Sequence, residues 1–224
     1  MSTVREALAA GHVQFLGLKL RVGSGALVPR AETELLARTA IDHLTDEATL
    51  VVDVCSGTGN LACAMAHHRP KLRLYALELT HAAVELAREN VRALGLEDRV
   101  HVLEGDLFAP LAETGLEGRC DAVVCNPPYI SSGRLGVERA SLLELEPREA
   151  FDGGPYGVAI QQRVVREALP LLRPGGFLAF EVGAGQAKQV EALFQRSKGY
   201  DPPVSIEDDQ GVPRVLLARK VSFP

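Results

Sequence analysis

The chain has few cysteines, no long apolar run and no surplus of positive charge, and each shortage removes a class of protein. Its four cysteines, Cys55, Cys63, Cys120 and Cys125, form no CxxC pair and are too sparse in 224 residues for a disulfide scaffold. They read as buried, reduced thiols. No group of His, Cys and Asp has metal-ligand spacing, and His67-His68, at an expected helix end, reads as solvated, so no metal is expected. No apolar run approaches the roughly 18 residues of a membrane span. The start Met1-Ser2-Thr3-Val4-Arg5-Glu6 lacks the charged-then-apolar layout of a signal peptide. A cytoplasmic protein with no membrane partner is the expectation. The net charge of −5 argues against nucleic-acid binding through a diffuse positive field. Repeats, low-complexity tracts and Pro/Ser linkers are missing as well.

What remains is an ordinary globular composition, with 46% hydrophobic and 24% charged residues, enough for one compact core. Apolar runs of strand length alternate with helix-period stretches. That alternation predicts an α/β fold, doubly wound, with a mostly parallel seven-stranded sheet and helices on both faces. The expected strands are Leu50 to Val54, Leu72 to Leu77, Val100 to Leu103, Ala122 to Cys125 and Phe177 to Val182. Val204 to Ile206 and Arg214 to Ala218 follow as a C-terminal antiparallel hairpin around Asp208-Asp209-Gln210-Gly211. Helical periodicity covers about 60–68, 81–94, 157–171 and 186–197, and Ala31 to Leu44 reads as an amphipathic helix. Val13 to Val22 reads as an extended lead-in or hairpin. Residues 1–45 are expected to pack as a lead-in on a main domain spanning 46–224. From Asn126 to about Tyr156 prolines and glycines break every period, and a loop of that length usually binds something. It leaves the end of the fourth strand, where open α/β sheets place ligands.

Three motifs sit at successive strand ends. Asp53-Val54-Cys55-Ser56-Gly57-Thr58-Gly59-Asn60 joins a strand to a helix, and Gly57 and Gly59 allow a tight turn with helix amides facing a ligand. Gly57-x-Gly59-x-x-Ala62 also satisfies a relaxed dinucleotide fingerprint, which admits a nicotinamide or flavin enzyme. Asp53 tips the reading: a carboxylate at the strand tip repels a pyrophosphate but suits a ligand carrying an ammonium and a sulfonium. Glu78 ends the second strand about 20 residues past the glycines, where an acid accepts from both ribose hydroxyls. In Gly105-Asp106-Leu107-Phe108, Asp106 can accept from an adenine amino group while Leu107 or Phe108 covers the ring.

The most specific motif is Asn126-Pro127-Pro128-Tyr129. A planar nitrogen has a delocalised lone pair and is a poor nucleophile toward a methyl group. The Asn126 side-chain oxygen and the Pro127 carbonyl can each accept one of its hydrogens, more strongly as positive charge develops. Consecutive prolines stiffen the corner, and Tyr129 supplies an aromatic wall.

These residues resemble the class I, Rossmann-like methyltransferases with an NPPY motif, and more narrowly the HemK/PrmC family, which methylates the glutamine amide of peptide-chain release factors. Val28-Pro29-Arg30-Ala31-Glu32-Thr33-Glu34-Leu35 is similar to that family's pre-sheet segment, and Glu146-Pro147-Arg148-Glu149-Ala150-Phe151-Asp152-Gly153-Gly154 to its loop after the motif. Leu172-Arg173-Pro174-Gly175-Gly176 and Asp208 to Arg214 resemble its later strand approaches, so the likeness runs from about Phe15 to Arg219. The resemblance implies an S-adenosylmethionine-dependent N-methyltransferase whose catalytic domain is 46–224, with Asn126, Pro127 and Tyr129 at the acceptor. It implies a donor site of Asp53, Cys55, Ser56, Gly57, Gly59, Asn60, Glu78, Leu79, Asp106, Leu107 and Asn126, with Arg30, Glu32 and Thr33 lining or closing it. A release-factor-like protein is the implied substrate. The alternatives are a small-molecule or peptide acceptor, adenine-N6 methylation of nucleic acid, and a catalytically silent donor-binding scaffold.

The chain departs from the family in four places. The family's N-terminal helical domain has little counterpart before Val13. Ala31 replaces a proline, and Gly154-Pro155-Tyr156-Gly157 departs from an acidic turn. Cys55 stands where the family has its first glycine, a replacement compatible with donor binding if its φ is negative.

Overall fold

The computed structural model describes residues 3–137 and 140–222. The remaining positions, at both ends and within the proline- and glycine-rich loop, lie outside the described residues. The chain opens with helix α1 (Val4–Ala10), absent from the expectations above although Thr3 and Glu6 carry its signal. The Thr3 hydroxyl accepts from Glu6 N and the Glu6 carboxylate accepts from Thr3 N, a reciprocal capping box. Strands β1 (His12–Phe15) and β2 (Leu18–Arg21) form the expected hairpin as a separate two-stranded sheet. Helix α2 (Ala31–His43) leads to β3 (Leu50–Val54), α3 (Asn60–His68), β4 (Arg73–Glu78), α4 (His81–Ala93), β5 (Val100–Glu104) and β6 (Cys120–Cys125). After the loop and the short helix α5 (Ser132–Val137) come α6 (Ala159–Ala168), β7 (Leu172–Glu181), α7 (Ala187–Ser197), β8 (Val204–Glu207) and β9 (Pro213–Arg219).

The seven-stranded sheet has the order β5-β4-β3-β6-β7-β9-β8, parallel except for β9, which runs antiparallel to both neighbours. Alternation along the strands explains why helices cover both faces. Val51, Leu74, Ala122, Val124, Phe177 and Ala179 point into one apolar layer with Leu36, Ala37 and Ala40 of α2, the apolar side of α3, and Val84, Ala87 and Val91 of α4. Val52, Val54, Leu77, Val123, Cys125, Leu178 and Phe180 point into the other, with Val164, Val165 and Ala168 of α6 and Val190, Leu193 and Phe194 of α7. Strand order reverses between β3 and β6, and a crevice opens there at the carboxyl ends.

Three boundaries differ from the sequence reading. The segment after Asn126 is not a plain loop: it holds α5 and short 3-10 turns at Ala140–Glu144 and Arg148–Ala150. Such short turns complete too few periods to stand out. Strand β7 starts at Leu172, because Pro174-Gly175-Gly176 is accommodated by a register shift opposite Cys120 and Ala122. A Cβ on Gly176 would meet Cys120 O at 2.9 Å, so the glycine permits this close pairing. Helix α6 begins only at Ala159, since Gly157 is left-handed (φ 71°) and Val158 non-helical.

Asp121 joins the lower ends of three segments: it accepts from Thr49 N at 2.8 Å, Leu50 N at 3.0 Å and Arg173 Nε at 2.6 Å. No helix among the described residues is long and apolar enough to cross a membrane. Leu36 is fully buried where α2 meets the sheet. Leu36→Ala is expected to lower the unfolding free energy by about 2–5 kcal/mol, measured by urea denaturation; a loss under about 1 kcal/mol would contradict this packing.

Candidate active site

Four strand ends and the segment before α2 surround two adjoining cavities. The first, about 350 Å³, is walled by Thr33, Cys55, Ser56, Gly57, Asn60, Glu78, Leu79, Asp106, Leu107 and Asn126, all singled out from the sequence. Leu77, Ile160 and Pro128 add apolar surface. The second, about 430 Å³, is walled by Arg30, Asn126, Pro127, Tyr129, Glu181, Gln186 and Arg214 among others. Asn126 lines both.

The turn after β3 is built by backbone hydrogen bonds. Ser56 N donates to Leu77 O at 3.1 Å, and Gly59 N donates to Ser56 O at 2.8 Å. Gly59 caps α3 in the left-handed region (φ 74°), and a Cβ there would meet Ala87 Cβ of α4 at 3.2 Å. Gly59 therefore shapes the turn from behind without lining the cavity. The Glu78 carboxylate is held by three backbone amides: Gly57 N at 2.9 Å on Oε2, with Leu79 N at 2.8 Å and Thr80 N at 3.1 Å on Oε1. Asp106, half exposed, pairs with Arg163 Nη1 at 3.0 Å. Leu107, rather than Phe108, meets the cavity; Phe108 is packed into the α6 layer.

Two expectations need correction. Asp53 does not face the cavity as a charge. It is fully buried beneath the turn, and its Oδ2 accepts from Ala62 N at 3.1 Å, capping α3 from the strand. Burial pushes its carboxyl up to about 8, opposed by the Ala62 hydrogen bond and reinforced by Glu78. It is thus uncharged near neutral pH, and the argument from repulsion does not hold. Cys55 is the second. Its φ is +59°, so a cysteine occupies the left-handed conformation that the family's glycine adopts freely. It is only half-buried and lines the cavity, unlike the buried Cys63, Cys120 and Cys125. Its thiol lies beside that of Cys125, which is held well above the usual range, first by burial and then by the Cys55 thiol.

The Asn-Pro-Pro-Tyr corner is pinned from several sides. Asn126 Nδ2 donates to Thr33 Oγ1 at 3.0 Å. Ile130 pairs with the next stretch of loop through Ile130 N to Phe151 O at 2.9 Å and Gly153 N to Ile130 O at 2.8 Å. Gln186 Nε2 donates to Tyr129 O at 2.8 Å. A Cβ on Gly157 would lie 2.5 Å from Tyr129 O, so the departing turn Gly154 to Gly157 still keeps the glycine on which this packing depends. Arg30 is not on the first cavity; it pairs with buried Glu146 at 2.6 Å, which also accepts from Val28 N at 2.8 Å.

Sequence reasoning missed Glu181, Gln186 and Arg214 as cavity residues. Glu181 carried a signal, as the one charge in the expected strand Phe177 to Val182; Gln186 and Arg214 are brought in by tertiary packing alone.

Fold and cavity together define a class I methyltransferase that depends on S-adenosylmethionine, and the comparisons bear this out. Residues 31–141 match the family model described as methyltransferase small domain. A release factor glutamine methyltransferase from Moorella thermoacetica is 38% identical over 209 residues, covering 93% of this chain and 72% of that protein. The chain belongs to the release factor glutamine methyltransferase family. A 4-amino-L-phenylalanine/4-methylamino-L-phenylalanine methyltransferase from Streptomyces pristinaespiralis is 38% identical over 191 residues, covering 83% of this chain and 63% of that one. Among solved structures, the N-terminal domain of human METTL16 in complex with SAH has the same fold, with a TM-score of 0.63, 17% identity and coverage of 91% and 76%.

The strain at Cys55 gives a prediction. Cys55→Gly is expected to change the unfolding free energy by less than about 1 kcal/mol, relief of strain offsetting the entropy of the unfolded glycine. Cys55→Val, β-branched at the same φ, should cost about 2 kcal/mol or more. Equal effects in urea denaturation would show that the left-handed conformation is not present.

Proposed function

We propose that the chain transfers a methyl group to the side-chain amide nitrogen of a glutamine in a release-factor-like protein, in the cytoplasm. The observation that carries this reading is that the two cavities meet at Asn126, with Pro127 on the second cavity and Thr33 on the first. A donor in one and an acceptor in the other would meet at a single amide.

The first cavity fits S-adenosylmethionine. Glu78 Oε2 receives one hydrogen bond from Gly57 and keeps a lone pair for a ribose hydroxyl. The buried Ser56 hydroxyl has no partner among the described residues, a polar group suited to a ligand. Leu79 and Leu107 form apolar walls for a flat base, with Asp106 beside them as an acceptor. S-adenosylmethionine supplies an electrophilic methyl on a sulfonium and leaves as a neutral thioether.

The chain's own residues then handle the acceptor. With Nδ2 committed to Thr33, Asn126 Oδ1 is free to accept one amide hydrogen, and the Pro127 carbonyl accepts the other. These two hydrogen bonds strengthen as the nitrogen lone pair leaves conjugation and positive charge builds, which lowers the barrier without a general base, and the methylated nitrogen then releases one proton to water as conjugation returns. Tyr129, half-buried, walls the second cavity; burial raises its phenol and keeps it neutral. The Streptomyces relative, as similar in identity, supports a second reading in which a free aromatic amine takes the amide's place.

Three measurements test this. Tritiated S-adenosylmethionine is expected to label a bacterial peptide-chain release factor on glutamine; label entering 4-aminophenylalanine instead would select the second reading. Glu78→Ala should weaken S-adenosylhomocysteine binding in calorimetry by about 1–3 kcal/mol; unchanged affinity would remove Glu78 from the donor site. Asn126→Ala should lower kcat by about 100-fold while donor affinity moves little. If affinity fell in step with kcat, the role given to Asn126 would be wrong.

A further inference from the structure

Asn126 can serve the acceptor only with its amide the right way round, and a primary amide has two nearly isosteric orientations. What selects one of them lies behind it. Thr33, 2% exposed in the first turn of α2, receives the Asn126 Nδ2 hydrogen bond at 3.0 Å. On its other side the Thr33 hydroxyl lies close enough to the Glu181 carboxyl to lower it. Glu181 reaches this place by register: Cys125 pairs with Phe180 across β6 and β7, so the next residues, Asn126 and Glu181, stand side by side at the strand ends. Glu181 is 4% exposed, lines the second cavity with Asn126, and its Oε2 has no hydrogen-bond partner among the described residues.

We infer that Glu181 is a positioning residue, whose carboxylate, through the Thr33 hydroxyl, holds the Asn126 amide with Oδ1 turned toward the acceptor nitrogen. The inference rests on the reading that Asn126 grips that nitrogen. Its logic is the counting of donors. A carboxylate only accepts, so where these two side chains bond, the single hydroxyl proton of Thr33 goes to Glu181. The Thr33 oxygen can then only accept from Asn126, and Nδ2 is the sole donor there. Oδ1 is left facing the cavity. If Glu181 carries a proton, it can donate to Thr33, whose own proton becomes free to seek Asn126 Oδ1. The amide then turns and presents N–H to an N–H, and the acceptor is lost.

The charge state of Glu181 is therefore part of the device. Burial pushes its carboxyl up to about 7, the Thr33 hydroxyl lowers it, Glu32 of α2 raises it, and Arg214 of β9 and Arg30 before α2 lower it. Tyr129 and the Cys125 thiol also face it. Above that value the carboxylate is present and the amide is correctly held; below it the hold is lost.

The test uses the full chain without donor, followed by NMR of side-chain amides, with the Asn126 pair assigned by its loss in Asn126→Asp. In the wild type and in Thr33→Ser the Asn126 signals are expected to shift with pH around a midpoint near 7. In Glu181→Gln and Thr33→Val they should be insensitive to it. A wild-type Asn126 signal that ignores this range overturns the inference, as does a titration that persists in Glu181→Gln. In single-turnover methylation of a release factor, the wild-type rate should rise with pH through the same midpoint. Glu181→Gln should lose that inflection and turn over about 10-fold slower, with S-adenosylhomocysteine affinity unchanged within about twofold. A rate loss that leaves the inflection in place would reduce Glu181 to a structural part. If the wild type labels no release factor, the acceptor assignment fails by itself, and the amide titration still decides the relay.

Discussion

The hydrogen bond from Asn126 to Thr33 joins parts of the chain that are 93 positions apart, and the reactive corner depends on it. One partner ends the central strand β6; the other opens α2, which precedes the sheet in sequence. Neither can be displaced without the other, because α2 is anchored by Leu36, Ala37 and Ala40 in the apolar layer beneath. Packing on one face of the sheet thereby sets the direction in which an amide oxygen points at its edge.

The same economy governs the donor side. Glu78 is not simply an acid at a strand tip; backbone amides of Gly57, Leu79 and Thr80 hold its carboxylate before any ligand arrives. Preorganisation of this kind removes the cost of arranging the acceptor at the moment of binding. Asp53, one strand over, serves the opposite purpose. Enclosed by apolar strands, its carboxyl is neutral near pH 7 and caps α3, which keeps the turn in place without adding charge to the cavity.

Cys55 shows that a family position can be kept in shape while its residue changes. The turn demands a left-handed backbone there, and the hydrogen bonds around Ser56 and Gly59 are sufficient to impose it on a residue with a side chain. The thiol then occupies space against Cys125 at the floor of the first cavity.

Strand identity, the two-faced sheet and the motifs at its carboxyl ends could be read along the chain, because alternation and turn chemistry are local properties. So could most of the first cavity, whose residues sit directly after apolar strands. The helix at Val4–Ala10 was also readable, from Thr3 and Glu6, and was missed. Other features depended on neighbours distant in sequence. Whether Asp53 is charged depends on the layers packed over it, and whether Cys55 is strained depends on a network closing the turn. Glu181, Gln186 and Arg214 reach the second cavity only because β7, α7 and β9 come together beside β6. Sequence period tells which face a side chain takes, but burial, protonation and hydrogen-bond direction arise only when separate segments exclude water from the same space.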